Sequence, residues 1–239
     1  PEIHDSDGLA LWTGAGEWIW RPIVNPHYIR ISSFTDDNPR GFGLLQRDQN
    51  FDHYQDNGAN YHKRPSLWVE PVGDWGRGLV QLVELPTADE TLDNIVAFWS
   101  PAEPAQPGRE MSFRYRLYWG AHPPKRPTVA EVTATRVGVG GMPGVKHAGP
   151  LRKFVLDFQG GALPQLPKTA KVEAVVAASR GEIRDVATHA MQESELWRCH
   201  FDLSASGSEP VDLRCFLRDA SGALSETWLY QWSPPPAQC

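Results

Sequence analysis

Two short acidic motifs carry the residues most able to do chemistry. DETLDN (89–94) places Asp89, Glu90 and Asp93 directly before the apolar run IVAFW (95–99). A carboxyl abutting a run that reads as buried is expected to be partly desolvated, which favours its protonated form and suits it to donate a proton. Glycosidic cleavage needs such an acid beside apolar walls. A plain turn with helix-cap character accounts for the same residues. HDSDG (4–8) sets Asp5 and Asp7 two apart, on one side of a strand. It reads equally as a turn or a solvated strand end, and as a calcium motif it lacks the remaining ligands.

A third segment, QRDQNFDHYQDNGANYHKRPSLW (46–68), is long, polar and studded with aromatics. It holds Asp48, Asp52, His53, Tyr54, Asp56, Tyr61 and His62. Segments of this kind serve as lids or binding loops, or are simply solvated. The histidines lack zinc spacing, and the three cysteines, Cys199, Cys215 and Cys239, form no CxxC, so no metal site is expected. Cys199 and Cys215 sit on apolar faces, as small core residues or as a disulfide pair. VGVGG (137–141) lacks the spacing and the following helix of a nucleotide loop, so no cofactor is expected.

The elements that must position these motifs are β-strands. YIRISSF (28–34), GLVQLVEL (78–85) and MSFRYRLYW (111–119) alternate with period two. IVAFW, apolar throughout, is expected to be covered on both faces. The 21 prolines and 21 glycines punctuate short segments, an all-β habit. AHPPKRP (121–127) predicts a linker between a first domain over 1–120 and a second over 128–239. Beyond it, TVAEVTATRVGV, LRKFVLDFQG, AKVEAVVAAS, EIRDVATHAM, LWRCHFDLSA, VDLRCFLRDA and ETWLYQWS predict seven short strands, the pattern of an immunoglobulin-like sandwich. Seven of the ten tryptophans precede the linker. Some fill a core, and a surplus lining a groove would suit sugar rings.

The net charge of −6 argues against nucleic acid, and no apolar run approaches the roughly 20 residues of a membrane span. No secretory leader is read, and the chain opens on Pro1 without a methionine, as a fragment or a processed product would.

HDSDGLALWTGAGEWIWRP, GFGLLQRDQNFDHYQD, RPSLWVEPVGDWGRGLVQLVELPTADETLDNIVAFWSP and the terminal LSETWLYQW together resemble the periplasmic glucan biosynthesis proteins, the OpgG/MdoG and OpgD family. QRDQNFDHYQD leans toward the OpgD branch. The resemblance implies the C-terminal half of a longer protein: the end of a large β-sandwich carrying a cleft, then an immunoglobulin-like domain. It implies export to the periplasm and action on osmoregulated periplasmic glucans, whose backbone is β-1,2-linked glucose. The implied activity is that of an inverting β-1,2-glucanase, with a non-catalytic glucan-holding role beside the membrane glucan synthase as the alternative. Asp93 then matches the general acid and Asp5 the residue that activates water, with Asp7 the nearby alternative. Asp7, Trp12, Arg47 and Tyr54 are expected to bind substrate, with Tyr61, Arg64, Trp75 and Glu90.

Overall fold

The computed structural model describes residues 7–89, 92–141, 144–145 and 151–234. They form an all-β chain that divides into two compact units, Pro1–Arg126 and Pro127–Cys239. No helix among the described residues is long and apolar enough to cross a membrane.

The first unit begins with an antiparallel hairpin, β1 (Gly8–Trp12) and β2 (Trp18–Pro22), turned through Gly16 in a left-handed conformation. β3 (Arg30–Asp37) leaves for a second sheet, and β4 (Gly41–Leu45) returns to pair with β1. After a polar segment with one short helical turn, α1 (Phe51–Tyr54), β5 (Ser66–Val72) pairs with β4. β6 (Arg77–Glu84) and β7 (Ile95–Pro101) complete the second sheet in the order β3-β6-β7. β8 (Arg114–Gly120) then adds to β5.

The two sheets of this unit pack face to face through Leu9, Leu11 and Phe42 on one side and Val80 and Leu82 on the other. On the opposite face of the β1–β4 ribbon, glycines alternate with large rings. A Cβ on Gly8 would meet the Trp20 ring at 2.5 Å, and one on Gly41 would meet Trp68 at 2.2 Å. The missing side chains let Trp20 and Trp68 lie flat on the backbone and bury almost completely. Trp12 stacks on Trp18 at 5.1 Å, and Trp18 on Trp68 at 5.7 Å.

One ion pair crosses between the sheets. Arg21 on β2 donates to Glu84 on β6 at 2.8 Å, with side-chain exposures of 2% and 0%. The same arginine donates to the Pro22 carbonyl, and the second Glu84 oxygen accepts the Val24 N–H at 2.9 Å. Arg30, also buried, stands opposite Glu84 in the β3–β6 register.

IVAFW departs from its expectation. β7 alternates: Ile95, Ala97 and Trp99 pack on the core, whereas Val96 and Phe98 are 49% and 40% exposed. The reason is position. β7 is an edge strand of a three-stranded sheet with one face on the core, so its continuous apolar run is not matched by cover on both sides.

The second unit packs a four-stranded sheet on a three-stranded one. The first has the order β12 (Glu182–Ala190), β13 (Trp197–Ser204), β10 (Leu151–Gln159), β9 (Glu131–Val139). The second has β11 (Glu173–Ala178), β14 (Val211–Asp219), β16 (Thr227–Trp232), with the two-residue β15 (Gly222–Ala223) beside β14. Each of the seven segments read from the sequence contains one of the longer strands. Trp228, fully buried, meets Phe154 and Phe201 edge-on across the sheets and donates to Thr135 Oγ1 at 3.0 Å. Cys199 and Cys215 are buried free thiols with Sγ atoms 3.9 Å apart. On the outer side of the four-stranded sheet, Asp157 accepts from Arg198 at 2.7 and 2.9 Å and from Arg136 at 2.7 Å. Burial works against its charge, but the two guanidinium groups outweigh it and hold the carboxyl below its ordinary range.

Two stability predictions follow from the buried charges. Removing one partner of the inter-sheet pair, as in Glu84→Ala, should cost about 3–5 kcal/mol in urea unfolding of the chain, because buried Arg21 loses its carboxylate and the Val24 N–H its acceptor. Replacing both, as in Arg21→Met with Glu84→Leu, should cost far less. For Asp157, whose folded-state pKa is depressed, the stabilisation is present above about pH 4 and is lost as pH falls through the folded value. Asp157→Asn should therefore flatten the decline of Tm between about pH 5 and pH 3.

Candidate functional site

Strand register brings distant motifs to one end of the first unit. Gly8 at the start of β1 stands opposite Pro22 at the end of β2 and Leu45 at the end of β4. Asp7 continues both ladders: its N–H donates to the Leu45 carbonyl at 2.8 Å, and its carbonyl accepts the Ile23 N–H at 2.9 Å. Arg21, next to Pro22, is paired with Glu84 at the end of β6, and Glu84 stands opposite Ile95 at the start of β7. The end of HDSDG, the start of the 46–65 segment and the DETLDN connection therefore share one end.

The connection carrying Asp93 is pinned there. Asn94, buried, donates from its side chain to the Leu85 carbonyl at 2.9 Å, and its own carbonyl accepts the Leu85 N–H at 2.8 Å. Asn25 and Thr87 exchange two hydrogen bonds, at 2.7 and 3.1 Å, tying the connection to the chain that leaves β2. Asp93 itself is exposed. The burial expected of it from the neighbouring apolar run is absent, because Asn94 takes the inward position and β7 is covered on one face only. Asp5 and Glu90 lie outside the described residues.

The 46–65 segment is tightly built. Asn50 caps α1 by accepting the Asp52 N–H at 3.1 Å, and Gln55 ends it in a left-handed conformation. Asp56 accepts the N–H groups of Gly58 at 2.7 Å and Ala59 at 3.2 Å, an Asx turn leading into the short 3₁₀ turn Tyr61–Lys63. Two buried tyrosines, Tyr54 and Tyr61, stack with centroids 6.3 Å apart. The Arg64 guanidinium lies 5.4 Å from the Tyr61 ring centroid and donates to the Ala59 carbonyl at 3.1 Å. Arg47 lies 3.6 Å over the Trp20 ring. His53 is paired through Nδ1 with Asp48 Oδ2.

At the root of this segment sits Asp7. Its carboxylate accepts the Asp48 N–H and, at 3.1 Å, the Tyr54 hydroxyl. Burial pushes its pKa up to about 6, against the lowering effect of those bonds and of one from the Arg47 backbone, and with a further small rise from the Asp48 charge. Gln46, fully buried, donates to the Tyr54 oxygen at 2.6 Å, and its N–H donates to Ser66 Oγ at 3.0 Å.

The structure thus assembles Asp7, Arg47, Tyr54, Tyr61 and Arg64 in one neighbourhood. It does not bring Trp12 or Trp75 there. Trp12 closes the far end of β1, about 16 Å away by strand rise, with Arg40 and Lys125 at 5.2 and 5.1 Å from its ring centroid. Trp75 precedes β6, at that strand's opposite end from Glu84, and packs edge-on against Phe42, Phe113 and Tyr115. Gln46, Trp20 and Asn94 escaped sequence reasoning. The signal available for Gln46 and Asn94 was a lone amide at the border of an apolar strand. Among the described residues no three His, Cys, Asp or Glu side chains gather as a metal site.

The sequence that builds this neighbourhood is shared with known proteins. The family model described as "Periplasmic glucan biosynthesis protein, MdoG" matches residues 1–232. "Glucans biosynthesis protein D" of Stenotrophomonas maltophilia (strain K279a) is 58% identical over 239 residues, covering 99% of this chain and 45% of the relative. The protein of the same name from Xanthomonas campestris pv. campestris (strain B100) is 57% identical over 241 residues, covering 99% and 45%. "Probable glucans biosynthesis protein D" of Shewanella oneidensis MR-1 is 53% identical over 237 residues, covering 98% and 44%. The chain spans a little less than half the length of these relatives. With a family match that runs from the first residue through the last long strand, the chain belongs to the periplasmic glucan biosynthesis protein family.

Proposed function

We propose that the intact protein, in the periplasm, is an inverting β-1,2-glucanase that trims glucan chains. One observation supports this reading: the register of β1, β2, β6 and β7 brings Asp7 and Asp93 to the same end of the unit, the end from which the segment with Tyr54, Tyr61 and Arg64 leaves β4. The β-1,2 linkage and the inverting course come from the family resemblance. Asp93 would protonate the leaving glycosidic oxygen, and Asp5 would draw the proton from the attacking water. Arg64 would face sugar, backed by the buried Tyr61 ring beneath it, with Arg47 and Glu90 contributing hydrogen bonds. Because Asp93 is exposed in this chain, the water-poor surroundings that favour a protonated acid would be completed by the bound glucan and by the remainder of the protein.

That same exposure favours the second reading, a protein that holds glucan for the membrane synthase without cutting it. A glucan-holding surface needs neither carboxyl in a special protonation state. Incubating the full-length protein with linear β-1,2-glucan and sizing the products separates the two. The glucanase reading expects chain shortening. Tight binding of glucan without shortening would favour the holding role.

Asp93→Asn should lower kcat on β-1,2-glucan by about 10²–10⁴ while the fold and most of the sugar affinity persist, and Asp5→Asn should do the same. Asp89→Asn should be milder. Near-native turnover by Asp93→Asn would refute the assignment. The 239-residue chain by itself should be inactive and should self-associate in sizing columns. Phe113, Tyr115, Leu117 and Trp119 lie exposed along the β8 edge, an apolar surface that the longer relatives have chain to cover. Turnover by this chain at the full-length rate would contradict that expectation.

A further inference from the structure

We propose that Asp7 is a positioning residue: its carboxylate ties the 46–55 segment to the start of β1, and through Tyr54 it holds the Tyr61–Arg64 wall, without itself touching glucan. What the wall is for rests on the glucan reading above, but the tie does not.

A carboxylate offers about four lone-pair sites. Those of Asp7 are engaged by donors from a single stretch of chain: the N–H of Asp48, the hydroxyl of Tyr54 at 3.1 Å and the N–H of Arg47. Its backbone is fixed on both sides by the β1 ladders to Leu45 and Ile23. Asp7 is therefore a rigid post on which the segment folds back. Little acceptor capacity is left for a sugar hydroxyl.

Tyr54 passes the constraint on. Its oxygen accepts from Gln46 at 2.6 Å, and its single proton can go to Asp7 Oδ1 at 3.1 Å or to the Asp48 carbonyl at 3.0 Å. Its ring stacks on Tyr61, whose ring in turn lies under Arg64. Displacing the Tyr54 ring displaces the wall.

Among the described residues, burial outweighs what favours the ionised form of Asp7. Asp48 repels it, His53 is engaged with Asp48, and the Arg47 guanidinium lies over Trp20. With a folded-state value of about 6 against an ordinary 3.8, the folded chain holds this proton more tightly than the unfolded one, so stability falls as pH rises through that window.

Hydrogen exchange on the full-length protein tests this. Asp7→Ala should speed exchange of the amides over 46–55 by at least about tenfold while amides of β6 keep wild-type protection. Asp7→Asn should restore most of that protection, since its amide oxygen can accept the Asp48 N–H while the Tyr54 proton turns to the Asp48 carbonyl. On β-1,2-glucan, Asp7→Ala should raise KM more than it lowers kcat. Unchanged exchange over 46–55 in Asp7→Ala overturns the tie, whatever the activity. Intact protection in Asp7→Asn together with a loss in kcat beyond about 100-fold also overturns the proposal, because it makes the carboxylate a reactant. If the wild type cleaves nothing, the exchange measurements still decide the tie, and only the glucanase reading fails.

Discussion

The first unit turns on the buried pair of Arg21 and Glu84. Two charges with almost no exposure cannot be left apart, so β2 and β6, in different sheets, are obliged to meet at one register. Everything at the candidate site inherits that alignment. β2 brings β1, and with it Asp7; β6 brings β7, and with it the connection bearing Asp93. A slip of one residue in either strand would part the two charges and turn Ile19 on β2, or Val80 and Leu82 on β6, away from the core. The desolvation cost of the pair makes it a poor source of stability. Its value is in excluding other registers.

The two faces of the β1–β4 ribbon divide the labour. One is aliphatic and closes the sandwich. The other is a floor of glycine and tryptophan, where Gly8 and Gly41 give up side chains so that Trp20 and Trp68 can lie on the backbone. Trp20 is the link between floor and site, because Arg47 rests on its ring at the point where the chain leaves β4. From Arg47 onward the polar segment is held by local devices: an asparagine cap, an Asx turn and two residues in left-handed conformation.

Much of this was legible in the sequence, and the exceptions have physical causes. The strands of the second unit announce themselves through alternation of apolar and polar residues. WIWRP, GFGLL and SLWVEPV do not, because on the floor face the alternation is between glycine and tryptophan, which reads as no pattern at all. IVAFW suggested a doubly buried strand, but an apolar run fixes only what could be covered, and the one-sided packing of its sheet decides what is. The polar segment 46–68 stood out by composition, with Tyr54 and Tyr61 on it, and the family resemblance added Arg47 and Arg64. Trp12 and Trp75, expected with them from the resemblance, lie at the other ends of their strands, which the sequence motifs alone do not distinguish. That Asp7 and Asp93 lie at the same end of the unit was likewise beyond sequence reasoning, since it depends on Arg21 finding Glu84 across 63 positions.

The chain belongs to the periplasmic glucan biosynthesis protein family, and one end of its first unit carries the stacked Tyr54–Tyr61 pair with Arg64. Whether that end cuts glucan, and by a single displacement, is read most directly from the product. Proton NMR should follow the anomeric signal of newly formed reducing ends as the full-length protein acts on linear β-1,2-glucan, before mutarotation scrambles it. Two carboxyls acting on opposite faces of the sugar predict the α-anomer first. Initial release of the β-anomer, or no new reducing ends at all, would contradict the account.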